Sequence, residues 1–394
     1  MAGPHGSGAI TSGHSPAESR PLEGVRVLDL TRLLPGAYAT LMLADLGADV
    51  IKIEDPRSGD QSRHMPPLVN GTSVYFTVLN RNKRSVTLNL RAPTAAAILD
   101  RLLARSDVLV DSFRPRTAAR LGVDAQTIRR NHPEMICASI TGFGKTGPYA
   151  DRAAHDINYE ALAGLLSLSG GSPRVPGLLV GDIGAAYQTT SRIVAALFLR
   201  ERSGLPATID VSIHEAALQW TVFPSAPRLV RGGDSDPRQL PVRGDAARYN
   251  VYETADGRWL ALGALEDKFW IAFCERLGRP DLALLNDAQP GDQQESALAE
   301  VRRLLRTKTR EAWLAHFAEA DICLTPVKAP DEALADPQVA ARGLVTRESD
   351  ATHIAPPGVL IRSAPALGAD TDSVLEEVGV GEDERAALRS AGVI

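Results

Sequence analysis

The alternation of short β-rich runs with helical patterns over residues 25–140 limits this chain more than any other feature. Val25 to Leu30 is apolar and β-favouring, Pro35 to Leu46 carries a helical pattern closed by Gly47, and Val50 to Ile53 is a second strand. Strand, helix, strand in that order implies a right-handed crossover and a parallel sheet. The alternation continues through Ser85–Leu90, a helix at Ala92–Arg105, Asp107–Val110 and Met135–Ile140. The fold class that follows is α/β, a doubly wound sheet. No G-x-G-x-x-G sequence follows the first strand, which argues against a nicotinamide or flavin cofactor.

Between the second and third strands, Asp55 to Arg84 is polar, bears Pro and Gly, and ends in Asn80, Arg81, Asn82, Lys83 and Arg84. Three cations within four residues fit a solvated loop. Where the ends of a sheet face a ligand, they fit a phosphate cradle equally well.

A turn segment, Thr141 to Pro148, leads to His155 and Asp156 at the head of an apolar run at helical spacing (Ile157, Leu162, Leu165, Leu166). Asp156 reads as the cap of that helix, its carboxylate accepting from the first-turn N–H groups. His155 then sits just before the cap, where a helix start also offers N–H groups to an anion. Two readings stand: a capping aspartate beside a surface histidine, or a base beside an anion site. The second is what proton abstraction next to a carbonyl requires. Asp182 follows the apolar Leu178–Val180 and Gly181, ahead of a long helix to about Arg202 and a strand at Thr208–Ile213. One helix and a return separate it from His155, so both side chains can face one site.

Composition changes near Pro224, and Pro224 to Arg248 reads as a linker or mobile loop. A smaller α+β unit follows. Val251–Thr254 and Arg258–Leu262 flank an Asp256-Gly257 turn, a strong hairpin signal. Glu266 lies just ahead of a helix at Lys268–Leu277, further helices fill Glu295–Ala320, and an amphipathic helix at Glu382–Ala391 ends the chain.

The chain is 44% hydrophobic and 23% charged, with a net charge of −5, which gives no broad attraction to nucleic acid or membrane. No apolar run approaches the roughly 20 residues that span a bilayer. Cys137, Cys274 and Cys323 are scattered, show no metal-ligand spacing and suit a reducing cytoplasm. Residues 1–20 are rich in Gly, Ser, His and Pro and read as a disordered tail without a signal-peptide core.

Together these residues resemble the superfamily of class III CoA-transferases and α-methylacyl-CoA racemases. The likeness runs through 21–27, 43–54, 80–85, 141–148, 374–379 and 386–393. The racemase branch is similar at three further places: His155 to Tyr159 (His-Asp-Ile-Asn-Tyr), Gly181-Asp182, and Gly263 to Glu266. Gly71 to Phe76 and Leu79 to Arg84 look more like the transferases. The resemblance implies a CoA-binding doubly wound domain made from both chain ends, plus the smaller domain, in an interlocked homodimer. The expected domains are 21–225 and 226–325, with 326–394 returning to complete the first. It further implies an acyl-CoA racemase that inverts the α-carbon of a 2-methyl-branched acyl-CoA. His155 and Asp182 would be the two bases, beside Asp156, with Glu266 orienting His155 in a site shared between subunits. CoA is expected along Leu88, Asn89, Leu90 and Arg91, then Ser112, Phe113, Arg114 and Arg120, and along Ala154, Ile157, Asn158 and Tyr159. Where some racemases carry an arginine after the second strand, this chain has Asp55. No cofactor beyond the substrate's CoA and no metal is expected. The alternative activity is a CoA-transferase in which Asp182 is the nucleophile.

Overall fold

A computed structural model of the chain describes residues 20–168, 172–232, 242–285, 291–348 and 351–394. The expected tail, apart from Arg20, lies outside them. Two compact units are distinguished.

The first unit gathers the chain up to Tyr159, then Leu179–Ala217 and Pro337–Ile394. Its centre is a six-stranded sheet built from β1 (Arg26–Leu30), β2 (Asp49–Glu54), β5 (Arg84–Thr87), β6 (Val108–Asp111), β7 (Ile136–Thr141) and β8 (Thr208–Ser212). All neighbours run parallel in the order β5-β2-β1-β6-β7-β8. The chain winds outward from β1 through β2 to β5, then returns beside β1 as β6. The carboxyl ends of β1 and β6 therefore flank the topological switch point, where open parallel sheets bind ligands. Alternate residues feed opposite faces. Leu28, Leu30, Ile51, Ile53, Val86 and Leu109 share a core with Ile98, Leu99 and Leu102 of α3 (Ala95–Leu103) and with Val374, Leu375 and Leu388. Asn89 donates to the Val393 carbonyl at 2.7 Å and Arg84 pairs with Glu377 at 2.6 Å, so the chain's end is tied to β5. Helices α4 (Pro115–Leu121) and α5 (Ala125–Asn131) link β6 to β7, and on the other face α1 (Leu33–Asp45) packs against α7 (Val180–Ser203).

Residues 55–84 contain more structure than a loop. They hold a 3-10 turn (Gln61–His64), a two-residue ladder (β3, Leu68–Val69, with β4, Thr72–Ser73) and α2 (Val74–Leu79). The cations that end this stretch are neither solvated nor open to phosphate. Arg81 pairs with Asp45 at 2.5 Å, Lys83 with Asp29 at 3.3 Å, and Arg84 with Asp49 and Glu377. Burial of Arg81 and Lys83 requires such partners, because an unpaired charge there would cost several kcal/mol.

The second unit comprises Glu160–Leu178 and Leu218–Asp336. Its antiparallel sheet has the order β11-β10-β9, from Leu324–Pro326, Trp259–Gly263 and Tyr249–Glu253. Gly257 takes φ +70 in the hairpin turn, which glycine adopts without steric cost. Trp270, Phe273, Trp313 and Phe317 stack as a core between helices Asp267–Leu277 and Arg310–Phe317. The stretch from Pro224 expected as a linker is helical as far as Arg231, within Val222–Arg231. Pro224 lies in the first turn, where a missing N–H costs nothing, and only Pro227 is internal. The rest of that stretch is partly outside the described residues.

Candidate active site at two helix starts and a sheet end

α6 (Asp156–Leu162) starts one residue earlier than a capping Asp156 requires. His155 is the residue at the cap position: its carbonyl accepts from Asn158 at 2.8 Å, and its N–H donates to Asn158 Oδ1 at 3.0 Å. Asp156 is buried and does not cap its own helix. Its Oδ1 accepts from the Asp182 N–H, 2.7 Å away, in the first turn of α7. Asp156 is thus the cap of the other helix. No side chain of α7's own N-cap residue, Leu179, does this work. Gly181 makes the approach possible, because a Cβ there would lie 3.0 Å from Asp156 Oδ1 and 3.1 Å from Ile213 Cγ2.

The consequence is that the starts of α6 and α7 meet, and His155 and Asp182 stand on the two joined segments. His155 is exposed and Asp182 half-buried. Tyr159 lies beneath them, its hydroxyl donating to the Ala154 carbonyl at 3.1 Å. Burial, then the Asp182 and Asp156 carboxylates, push its phenol up, while Arg114 opposes them. A tyrosine held neutral in this way keeps its proton next to two acids. Ile157 and Asn158 are exposed on the same helix.

A second feature occupies the switch point. A cleft there is lined by Thr31 and Arg32 after β1, Glu54 and Asp55 at the end of β2, Leu88 to Arg91 after β5, and Phe113 after β6. Five of the residues expected to hold CoA, Leu88, Asn89, Leu90, Arg91 and Phe113, therefore line one cleft. Ser112 abuts it, its Oγ accepting from the Arg32 N–H at 3.1 Å. Arg114 and Arg120 are exposed at the two ends of helix Pro115–Leu121 and do not line it. Arg32 does, and nothing in the sequence reading singled it out. The available signal was a lone cation in a strand-to-helix turn, where glycine-rich phosphate loops elsewhere lie.

Glu266 belongs to the second unit, exposed at the head of helix Asp267–Leu277, with its side chain making no cap bond. Among the described residues no group of three or more His, Cys, Asp or Glu is placed to hold a metal ion. Nor is any helix among them long and apolar enough to cross a membrane.

The profile described as CoA-transferase family III matches residues 22–371. The chain is 32% identical over 379 residues to the mouse protein named succinyl-CoA:glutarate CoA-transferase, covering 91% of this chain and 86% of that one. It is also 32% identical over 388 residues to human alpha-methylacyl-CoA racemase, covering 95% and 97%. The crystal structure of a CAIB/BAIF family protein from Brucella suis superposes with a TM-score of 0.80 at 27% identity, covering 91% of this chain and 99% of that one.

Proposed function

The chain belongs to CoA-transferase family III, and on that premise we propose that it is an acyl-CoA racemase inverting the α-carbon of a 2-methyl-branched acyl-CoA. The observation that carries the proposal is the Asp156–Asp182 hydrogen bond, because it joins the segment bearing His155 to the segment bearing Asp182. Inversion needs two proton-carrying groups on opposite faces of one carbon, whereas transfer of CoA needs only one nucleophile. In the proposed reaction one of the pair, as a base, takes the α-proton. The electron pair moves into the thioester carbonyl to form an enolate. The conjugate acid of the other group then returns a proton to the opposite face. N–H groups at the start of α6 would hold the enolate oxygen, a role in which oriented donors outweigh solvent. Glu266 would hold His155 protonated through its negative charge. No further cofactor is required, since the CoA of the substrate supplies the thioester.

Placing Glu266 beside His155 is part of the proposal, and a homodimer with shared sites is the form it takes. Support comes from α7, whose Tyr187, Val194 and Phe198 are exposed at spacings that share one helix face. Tyr187 also lines an apolar cavity of about 1000 Å³ with Tyr38, Met42 and Leu360. Exposed apolar surface of this kind calls for a covering partner.

A CoA-transferase is the second reading, favoured by relatives that carry that name. There Asp182 would attack the thioester carbonyl, expel CoA as thiolate and form an anhydride. Incubating enantiopure 2-methylacyl-CoA in deuterated water without any acceptor acid separates the two. Inversion with deuterium incorporation is the expected result. Hydroxylamine capture at Asp182, coupled to transfer onto an added acid and without exchange, overturns the racemase.

A further inference from the structure

We propose that Arg32 is a ligand for a phosphate group of CoA, acting with Arg91 across the cleft at the switch point of the sheet. This rests on the reading of the chain as a CoA-thioester enzyme, and it assigns a residue that reading did not include.

The charges around the cleft decide the matter. Two of its three acids are neutralised by buried cations: Glu54 holds Arg63 and the Ser85 hydroxyl, each at 2.7 Å, and Asp60 pairs with Lys52 at 2.8 Å. Asp55 accepts only the N–H groups of Arg57 and Ser58, at 2.9 and 3.3 Å, and is the one carboxylate of the cleft without a cation partner among the described residues. The cleft's two arginines outnumber it. Arg32 and Arg91 are exposed, and neither makes an ion pair among the described residues. The Arg32 guanidinium carbon lies 5.8 Å from the centroid of the Phe113 ring, on the wall of the cleft.

The turn that carries Arg32 is built at some cost. Leu33, the next residue, has φ +61, a left-handed conformation costing roughly 1–2 kcal/mol for a non-glycine. Four hydrogen bonds hold the strained turn. The Thr31 N–H and hydroxyl both donate to buried Asp29 Oδ1, at 2.9 and 2.6 Å. The Thr31 carbonyl accepts from fully buried Lys52 at 3.0 Å, and the Arg32 N–H donates to Ser112 Oγ. The turn is thus fixed from below on three strands' worth of side chains. Arg32 itself, at the uncapped start of α1, is left facing the cleft. Strain held in place by buried contacts is a mark of preorganisation. What is fixed is the backbone from which the Arg32 side chain departs, and the fork of guanidinium donors it carries into the cleft is the kind that recognises phosphate bidentately.

CoA offers two such groups, the 3′-phosphate and the diphosphate. Calorimetric titration of wild type, Arg32→Met and Arg32→Lys with CoA, dephospho-CoA and pantetheine, all unreactive, tests the assignment apart from the chemistry. Arg32→Met is expected to weaken CoA roughly 10- to 100-fold, and Arg32→Lys by less, with melting temperature unchanged. A penalty lost with dephospho-CoA assigns the 3′-phosphate. One kept with dephospho-CoA and lost with pantetheine assigns the diphosphate. Unaltered CoA binding by Arg32→Met, or an equal penalty with pantetheine, overturns Arg32 alone. A wild type that does not bind CoA overturns the functional reading as well.

Discussion

Asp156 illustrates how much of this site depends on a single accepted hydrogen bond. Its carboxylate closes the first turn of α7, and Gly181 is the residue that lets it in. Gly181→Ala separates fold from function here. In a helix the change favours the folded state by about 1 kcal/mol through propensity, which offsets part of the crowding against Ile213. The added methyl would stand 3.0 Å from Asp156 Oδ1 and push the two helix starts apart. The neighbours then give by a few tenths of an ångström, less than the misplacement of about 1 Å that costs about 100-fold in kcat when it falls on reacting groups. The expected result is a protein with a nearly unchanged Tm and a kcat lowered severalfold, to about 10-fold. Full activity would show that the contact does not set the geometry of the reaction. Asp182→Asn adds the complementary test at the same scale. Racemisation should be lost, while His155 still exchanges deuterium on one face with retention, and loss of all exchange would argue against two separate bases.

At the scale of elements, β2 carries a lysine where a parallel strand calls for an apolar side chain. Lys52 is fully buried and reaches both the Thr31 carbonyl and Asp60. Burial alone pushes the Asp60 carboxyl up, but the Lys52 ammonium and the Ser62 N–H and hydroxyl outweigh it and hold it at about 2. The carboxyl therefore titrates below its usual value of 3.8 in the folded protein. The stabilisation is present in full above that value and lost as pH falls through about 2. It amounts to about 2 kcal/mol. Denaturant unfolding across pH 4.5 to about 2 should show this acid limb, and Asp60→Asn should flatten it. An identical slope in the variant would place the acid sensitivity elsewhere. Lys52 also shows why only part of this molecule was legible in the sequence. The strands of the large sheet were legible because buried parallel strands are continuous apolar runs, and β6 and β7 are buried at every position. The buried ion pairs were not, since Arg81 meets Asp45 and Lys83 meets Asp29 far along the chain. The same distance hid Asp156, whose pattern beside Ile157 matches an ordinary cap and whose true donor lies on the next helix. Val222–Arg231 was hidden by Pro224, which its first turn tolerates, and by the internal Pro227. Arg32 was hidden because one arginine in a strand-to-helix turn is a weak signal until the turn beneath it is seen.

For the whole molecule, the proposed reaction turns on how many chains build one site. His155 and Glu266 belong to different compact units, and the mechanism needs them within hydrogen-bond reach. If the second unit of one subunit closes over the first unit of another, the protein is an obligate homodimer. Phe198→Asp, on the exposed face of α7, should then yield inactive monomers in sedimentation. Complementation settles the geometry more directly. His155→Ala and Glu266→Gln should each abolish most activity alone, Glu266→Gln by about 100-fold or more if it keeps His155 protonated. Co-expressed, the two variants form heterodimers. With shared sites, one site of each heterodimer collects both lesions and the other is intact, so a purified heterodimer regains about half of the wild-type rate per dimer. If each chain builds its own site, every site carries one lesion and no activity returns. The second outcome would refute sharing while leaving the roles of His155 and Asp182 to the deuterium experiment.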